Sequence, residues 1–249
     1  PMRCLEHVVS PWNTIDVIEQ HDGRIDFDVT GATHATWHPH LLLTGHAWDA
    51  LTAAALCHPG NPGRMLLLGL GGGTVLRQLR YFLPECRMTA IEIDPDMIRL
   101  ARAYMEVDSL GIEVIQDDAF DFLDRDSARY DIIIDDLYRC GTHDVERPRP
   151  VTRDSLAGQL SRLNPGGLLV ANFVLGQQHD TVHHQARKAF RHHFGAVRAL
   201  RPPLSHNEVL VGTPAADGLR SARHLKALAT AFPDPRDQKF WKALRNQRI

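Results

Sequence analysis

Length, composition and charge limit what this chain can be. It has 249 residues, 43% hydrophobic and 23% charged, with 28 basic and 30 acidic residues and a formal net charge of −2. A chain of this length can bury a sizeable core in one α/β domain with a small addition. The charge balance excludes an overall basic field, so no nucleic-acid partner is expected. Its apolar runs fall far short of the roughly 20 residues that a membrane span needs, so no membrane partner is expected.

Cysteines and histidines predict neither a disulfide framework nor a metal site. The cysteines are Cys4, Cys57, Cys86 and Cys140. They form no C-x-x-C pair, and no signal segment opens the sequence, so we expect reduced thiols and a cytoplasmic location. His179 and His183 would share a helix face, but no carboxylate or cysteine accompanies them in a metal-binding pattern. A solvated helix face is the preferred interpretation, and no metal is expected.

The first 60 residues predict a small antiparallel β domain followed by a linking helix. Short β-like runs, separated by turn signals, cover residues 4–9, 14–19, 24–29 and 35–37. Residues 41–57 then carry a helical pattern with a mixed face. The sequence PGNPG at residues 59–63 breaks the chain, and we place a domain boundary between residues 60 and 61.

From Arg64 the pattern becomes βαβα, beginning with a strand, a glycine turn and a helix. Residues 65–68 are an apolar run of the kind that a strand covered on both faces shows. The glycines that follow are Gly69, Gly71, Gly72 and Gly73. Without Cβ atoms, they let backbone amides approach a ligand closely. A helical pattern begins at Thr74, and this order of elements predicts a nucleotide-binding unit.

The βαβα pattern continues to about residue 215. Further strands are predicted over residues 87–93, 112–115, 130–136 and 168–173, with 196–200 and 208–212 as an antiparallel pair. Helices are predicted from Pro95, from Ala119, over 156–163 and over 180–194. Polar residues 137–151 predict a loop placed as a lid. We therefore divide the chain into residues 1–60, a catalytic domain over 61–215, and a C-terminal helical extension over 216–249.

Polar residues after the predicted strands favour S-adenosylmethionine over NAD. The dinucleotide fingerprint G-x-G-x-x-G fits at Gly69 and Gly71, but Thr74 replaces its third glycine. Glu92 ends the second strand, where an acid meets ribose hydroxyls in both kinds of sheet. Asp118 follows the third strand and can accept a hydrogen bond from an adenine amino group. Capping the next helix is the alternative role for Asp118.

Six motifs follow one another with a characteristic spacing. They are SPWN at residues 10–13, LLLGLGGG at 66–73, Glu92-Ile93-Asp94, Asp118-Ala119-Phe120, YDIIIDD at 130–136 and NPGG at 164–167. In this order they resemble the spermidine synthase (polyamine aminopropyltransferase) family within the class I adenosylmethionine-dependent methyltransferase superfamily.

The resemblance implies a fold, an assembly and a set of site residues. The expected fold is α/β, a doubly wound, mostly parallel seven-stranded Rossmann-like methyltransferase sheet with a small N-terminal antiparallel β domain, in a homodimer. The residues expected to bind the cofactor are Gly69, Gly71, Gly72, Glu92, Asp94, Asp118 and Asp136. Candidate residues for binding a small-molecule acceptor are Trp12, Asn13, Trp48, Asp49 and Tyr138.

Three positions depart from the family pattern and bear on the reaction. In aminopropyltransferases the glycine turn reads G-G-G-D-G, and its Asp holds the amine of decarboxylated S-adenosylmethionine; here that position is Gly72. At the position of a second Asp of the family pattern this chain has Arg139. A Tyr-x-Glu segment of the family is matched only loosely by residues 48–50. Intact S-adenosylmethionine adds a carboxylate that an acid at position 72 would repel by several kcal/mol if desolvated. We therefore expect methyl transfer, with aminopropyl transfer to a polyamine or a non-catalytic nucleotide-binding relative as alternatives.

Asp136 is the predicted catalytic residue. Transfer from a sulfonium is a one-step displacement, and an amine nucleophile must first lose a proton, which a carboxylate at the strand end can accept. Asp135 should point to the opposite side of the strand, and the family register selects Asp136. Capping of loop amides by both acids is the alternative.

Overall fold

The computed structural model describes residues 2–141 and 145–249, which form a four-stranded antiparallel sheet and an eight-stranded mixed sheet with helices on it. The strands are β1 Arg3–Val9, β2 Thr14–Glu19, β3 Ile25–Val29, β4 Ala32–Trp37, β5 Arg64–Leu68, β6 Arg87–Glu92, β7 Glu113–Gln116, β8 Tyr130–Asp135, β9 Arg139–Cys140, β10 Val145–Glu146, β11 Leu163–Val174, β12 Ala196–Arg201, β13 Asn207–Thr213 and β14 Arg245–Arg248. The helices are α1 Ala47–Ala55, α2 Thr74–Phe82, α3 Pro95–Tyr104, α4 Ala119–Arg125, α5 Ala157–Leu160, α6 Asp180–His193, α7 Ala222–Ala227 and α8 Pro235–Ala243.

The small sheet has the order β1-β2-β3-β4, as the short β-like runs predict. Ile15 and Val17 alternate with more exposed residues along β2, and Phe27 and Val29 do the same along β3. Because successive side chains of a strand point to opposite faces, these residues bury one face of the sheet. That face shares a core with α1, α2 and the large sheet.

The large sheet has the order β14-β12-β13-β11-β8-β5-β6-β7. The strands from β11 to β7 run parallel, and β13, β12 and β14 add antiparallel neighbours. Central β5 and β8 are buried on both faces, which explains their apolar runs. The strand order reverses between β5 and β8, and such a switch point opens a crevice at the carboxyl ends of the strands. The doubly wound α/β fold is confirmed.

The C-terminal tail adds an eighth strand, whereas seven were predicted. β14 pairs antiparallel with β12 along Arg198–Arg201. Its sequence is Arg-Asn-Gln-Arg, which has no apolar alternation. An edge strand held by backbone hydrogen bonds leaves no hydrophobic pattern, so this strand could not be recognised.

Four other segments differ from their predictions. NPGG at residues 164–167 lies inside β11, at a break in its register with β8, and not ahead of the strand. The helix predicted over 156–163 is reduced to α5, and the helix predicted over 41–57 to α1. The predicted loop 137–151 contains the short antiparallel pair β9–β10, and its residues 142–144 lie outside the described residues.

Helix α1 packs closely against the large sheet and against its neighbouring helix. α1 contacts β11 and β13 of the large sheet as well as α2. The domain limits 1–60, 61–215 and 216–249 stay predictions.

No helix in the described part of the chain has the length and apolar character needed to cross a bilayer.

Candidate functional site

A cavity of about 480 Å³ opens at the carboxyl ends of β5, β6, β7 and β8. This is the edge where open α/β sheets bind ligands, and the volume lies in the range of ligand pockets. The predicted site residues that line it are Trp12, Asn13, Trp48, Gly69, Gly71, Glu92, Asp118, Asp136 and Tyr138. The fold thus brings together residues from the small sheet, the glycine turn and the strand ends.

Gly72 belongs to the glycine turn, but it does not line the cavity. It is buried, and a Cβ atom built on it would lie 2.3 Å from Ala35 Cβ and 3.2 Å from Met105 Cγ. Since β4 packs directly on the turn at this point, no side chain fits at position 72. The expectation that Gly72 contacts the ligand is therefore corrected: it permits close packing of β4.

The glycine turn is held in place by its neighbours and by Glu92. Gly69 has φ +87°, and a Cβ atom there would lie 2.8 Å from the backbone oxygen of Asp136. Only glycine suits both the conformation and the close approach. Glu92 Oε2 accepts hydrogen bonds from the amides of Leu70 (3.1 Å) and Gly71 (3.3 Å). Burial raises the pKa of Glu92 to about 6, opposed by these bonds and the amide of Asp94. Contact of Glu92 with a ribose stays a prediction.

Asp118 caps helix α4 and also faces the cavity. Its Oδ1 accepts hydrogen bonds from the amides of Phe120 (2.8 Å) and Asp121 (3.2 Å). The capping alternative is therefore realised, and its contact with adenine stays a prediction. Asp117, also in the wall, is paired with Arg125.

Asp94 is a structural anchor and does not line the cavity, which corrects its predicted role. The carboxylate is fully buried. Its Oδ2 accepts hydrogen bonds from Ser10 Oγ (2.6 Å) and Asn13 Nδ2 (2.7 Å), and its Oδ1 accepts one from the amide of Asp96 (3.0 Å). Asp94 therefore ties the motif at residues 10–13, which carries Trp12 and Asn13, to the start of α3.

Replacing Asp94 by Ala should lower the free energy of unfolding by about 2–4 kcal/mol, because two donors and a helix cap lose their acceptor. Denaturant unfolding measures the change. Asp217→Ala, at an exposed position, is the control and should stay within about 0.5 kcal/mol of the parent. A loss at Asp94 as small as that of the control would contradict the anchoring role.

Asp49 also lies outside the cavity wall, which corrects its predicted role in acceptor binding. It is fully buried, and it accepts hydrogen bonds from the amides of Thr44 (3.0 Å) and Gly45 (2.6 Å) and from Gln78 Nε2 (2.9 Å). Burial raises its pKa to about 6. These bonds shape the bend that precedes α1 and places His46 in the wall.

The two acids at the end of β8 point in opposite directions, as strand alternation predicts. Asp135 is 3% exposed and pairs with Arg147 (Oδ1 to Nη2, 2.5 Å) and Gln159 (Oδ2 to Nε2, 2.7 Å). Asp136 faces the cavity, and its Oδ1 accepts a hydrogen bond from Asn172 Nδ2 at 2.9 Å. Asp135 therefore stabilises the fold, and Asp136 is the acid available to a ligand.

Burial raises the pKa of Asp136 to about 6. The hydrogen bond from Asn172 and the positive charge of Arg147 oppose this shift, and the negative charge of Asp135 adds to it. A carboxyl group with this pKa is mostly ionised at neutral pH and accepts protons more readily than an exposed one. That is the property that a general base needs.

Sequence reasoning missed several wall residues. They are His34, His46, Asp117, Phe120, Asn172, Ser205 and Asn207. Asn172 was detectable, because it interrupts an otherwise apolar buried strand. His34 and His46 gave no signal, yet burial lowers the pKa of both and keeps their rings neutral at pH 7. Ser205 and Asn207 reach the wall only through the pairing of β12 with β13.

The comparisons with known proteins agree with this fold. A relative from Bifidobacterium longum, named a probable polyamine aminopropyl transferase, is 34% identical over 132 residues, which cover 52% of this chain and 28% of that protein. A polyamine aminopropyltransferase of Pectobacterium atrosepticum is 30% identical over 156 residues, covering 60% and 53%. An eEF1A lysine and N-terminal methyltransferase homolog of Drosophila melanogaster is 36% identical over 120 residues, covering 46% and 17%. The chain thus spans about half or less of the length of these relatives.

Solved structures share the fold at low sequence identity. A spermidine synthase bound to the transition-state analogue AdoDATO has a TM-score of 0.71 and 17% identity, over 93% of this chain and 80% of that one. Human methyltransferase-like protein 13 bound to SAH has a TM-score of 0.63 and 23% identity, over 77% and 91%.

The family itself is shown by the sequence. Residues 48–199 match the model of the spermine/spermidine synthase domain, which covers more than half of the chain. The motifs at the glycine turn and the strand ends lie inside this match. The chain therefore belongs to the spermine/spermidine synthase domain family.

Proposed function

We propose that this chain binds S-adenosylmethionine and catalyses methyl transfer to a small-molecule nucleophile held beside Asp136. Glu92 and Asp118 stand in the wall where ribose and adenine would lie at the ends of β6 and β7. The glycine turn would accommodate the donor between them. Asp136 follows β8, which lies on the other side of β5, at the centre of the carboxyl edge of the sheet.

The lack of an acid in the glycine turn, where Gly72 packs against Ala35, is the observation that carries the proposal. In aminopropyltransferases an acid of this turn holds the bare ammonium, whereas here position 72 is a glycine whose built Cβ atom would lie 2.3 Å from Ala35 Cβ. The glycine turn therefore supplies no carboxylate to the cavity. Without that acid, the carboxylate of intact S-adenosylmethionine meets no like charge at this point. Repulsion between two desolvated carboxylates would amount to several kcal/mol.

The described residues suit a displacement assisted by a base. The sulfonium supplies an electrophilic methyl carbon, so the lone pair of the nucleophile forms the new bond while the C–S electrons leave with sulfur. Asp136 holds the nucleophile in line with that bond and takes its proton. Asn172 orients the Asp136 carboxylate through the 2.9 Å hydrogen bond.

Aminopropyl transfer to a polyamine from decarboxylated S-adenosylmethionine is the second candidate. It is favoured by the names of the Bifidobacterium and Pectobacterium relatives and of the family domain. Two positions of this chain disfavour it: Gly72, and Arg139, where a cation paired with Glu146 stands in the cavity wall in place of the family acid. The name of the Drosophila relative, a methyltransferase homolog, supports the first candidate. The homodimer and the cytoplasmic location stay predictions.

Identification of the nucleoside by-product tests the proposal. The protein is incubated with either donor and a low-molecular-weight cell extract that supplies acceptors, and the products are identified by mass spectrometry. We expect S-adenosylhomocysteine from the intact donor, and at least about 100-fold slower formation with Asp136→Asn. Formation of 5′-methylthioadenosine from the decarboxylated donor, without S-adenosylhomocysteine from the intact one, would establish the second candidate. Turnover of neither donor, although one of them binds, would indicate a non-catalytic relative.

A further inference from the structure

The turn between β12 and β13 brings two polar side chains into the cavity wall that the predicted mechanism does not use. Ser205 lies in this turn, and Asn207 begins β13. Ser205 Oγ is buried and has no hydrogen-bond partner among the described residues. A buried hydroxyl without a partner costs free energy, so an unpaired one in a cavity wall marks a position where a ligand atom can bind.

A chain of hydrogen bonds runs from Asn207 through Asn172 to Asp136, and the donor and acceptor of each bond are fixed. An ionised carboxylate only accepts hydrogen bonds, so Asn172 must turn its Nδ2 toward Asp136. Its Oδ1 then faces Asn207 and accepts a hydrogen bond from Asn207 Nδ2 at 3.1 Å. Asn207 therefore keeps its carbonyl oxygen for another donor, and the part of the chain that the structure describes supplies none for that atom. The turn thus offers one acceptor, Asn207 Oδ1, and one hydroxyl, Ser205 Oγ.

Few charged groups line the half of the cavity that Asp136 and the β12–β13 turn form. Asp136 is the acid that the described residues supply to it, whereas Glu92, Asp117 and Asp118 belong to the half formed by β6 and β7. The charge of Asp135 is paired with Arg147, away from the cavity. Burial lowers the pKa of His34 and His46, so both rings are neutral at pH 7. Arg139, also in the wall, is paired with Glu146 at 2.8 Å, so each of these two charges already has its partner. Among the described residues of this wall, a second ammonium group on the acceptor would therefore find no carboxylate of its own.

We propose that Ser205 and Asn207 form a hydrogen-bonding subsite for the acceptor. The acceptor places its nucleophilic nitrogen beside Asp136 and a neutral hydroxyl or amide group against the β12–β13 turn, where a diamine would place its second ammonium. This inference rests on the proposed transfer at Asp136. It names the acceptor class as singly charged or neutral nucleophiles that carry a neutral hydrogen-bonding group.

Three amines of similar length test the subsite by their affinity for the protein saturated with S-adenosylhomocysteine. The probes are 3-amino-1-propanol, n-butylamine and putrescine, and binding is followed by NMR titration. One hydrogen bond to the hydroxyl should make aminopropanol bind about fivefold more tightly than butylamine, and putrescine should gain nothing over butylamine. Ser205→Ala should remove the advantage of aminopropanol and leave the affinity for butylamine unchanged. Ser109→Ala, at an exposed position, is the control and should leave all three affinities unchanged.

Several outcomes would overturn the subsite. They are tighter binding of putrescine than of aminopropanol, equal or undetectable binding of the three probes, and an equal loss for all of them in Ser205→Ala. The binding of S-adenosylhomocysteine, which is measured before the probes are added, separates this inference from the proposed function. If S-adenosylhomocysteine fails to bind, the proposed function fails. If it binds and the probes behave in one of these ways, the subsite alone fails.

Discussion

Replacing Asp136 by Asn should lower turnover by about 10²–10⁴-fold and change the affinity for S-adenosylmethionine by less than about threefold. The amide keeps the size of the carboxylate but accepts no proton, so the loss falls on the chemical step. Steady-state turnover and calorimetric titration with the donor separate the two effects. Asp154→Asn, at an exposed position, should leave both values unchanged. Unaltered turnover in Asp136→Asn would remove this residue from the mechanism.

The same residue predicts the pH dependence of turnover. Burial raises the pKa of Asp136 to about 6, and a base acts in its ionised form. Turnover should therefore rise as the pH increases through about 6 and become constant above it. The groups whose charge or hydrogen bond acts on Asp136 are Asp135, Tyr138, Arg147 and Asn172. Burial raises the pKa of Tyr138 to about 12, so its hydroxyl does not titrate in this range.

Replacing Arg147 by Leu should lower the free energy of unfolding by about 3–5 kcal/mol, because it leaves the buried charge of Asp135 without its partner. The side chains of Arg147 and Asp135 are 5% and 4% exposed. Arg147 Nη1 also donates a hydrogen bond to the backbone oxygen of Asn172 at 2.8 Å, and its guanidinium lies over the rings of Tyr138 and Phe173. This one side chain thus joins the segment after β10 to the ends of β8 and β11.

A double variant distinguishes the charge effect from lost packing. In Arg147→Leu/Asp135→Asn the unpaired charge is gone, so most of the stability should return. Arg139→Leu breaks an exposed pair with Glu146 and should cost less than about 1 kcal/mol. Thermal and denaturant unfolding provide the measurements. If the single variant loses no more than Arg139→Leu does, or if the double variant recovers nothing, the pair does not stabilise the fold as described.

Local sequence patterns predicted the elements that hold the site. The apolar runs of β5 and β8, the glycines after β5 and the helical spacing from Thr74 are local features, and strand ends carry Glu92, Asp118 and Asp136 to one edge. The eighth strand gave no such pattern, because β14 is a polar edge strand.

Roles that depend on distant partners could not be predicted in this way. Asp94 resembles a ligand-binding acid in its motif, yet its partners Ser10 and Asn13 lie more than 80 positions earlier in the chain. The carboxylate of Asp49 accepts hydrogen bonds from the amides of Thr44 and Gly45. Gly72 packs against Ala35. The positions of Ser205 and Asn207 follow from the pairing of β12 with β13, which places their turn at the cavity. Local patterns therefore indicated the cavity wall at the strand ends better than the wall at the β12–β13 turn.

The central claim is that the site is built for a donor with an intact carboxylate. Calorimetric titration of the same protein with S-adenosylmethionine and with its decarboxylated form tests it most directly, because the adenosine contacts cancel and only the tail differs. We predict that the intact donor binds at least about tenfold more tightly, a difference of about 1.4 kcal/mol. Tighter binding of the decarboxylated donor would contradict the claim and favour aminopropyl transfer.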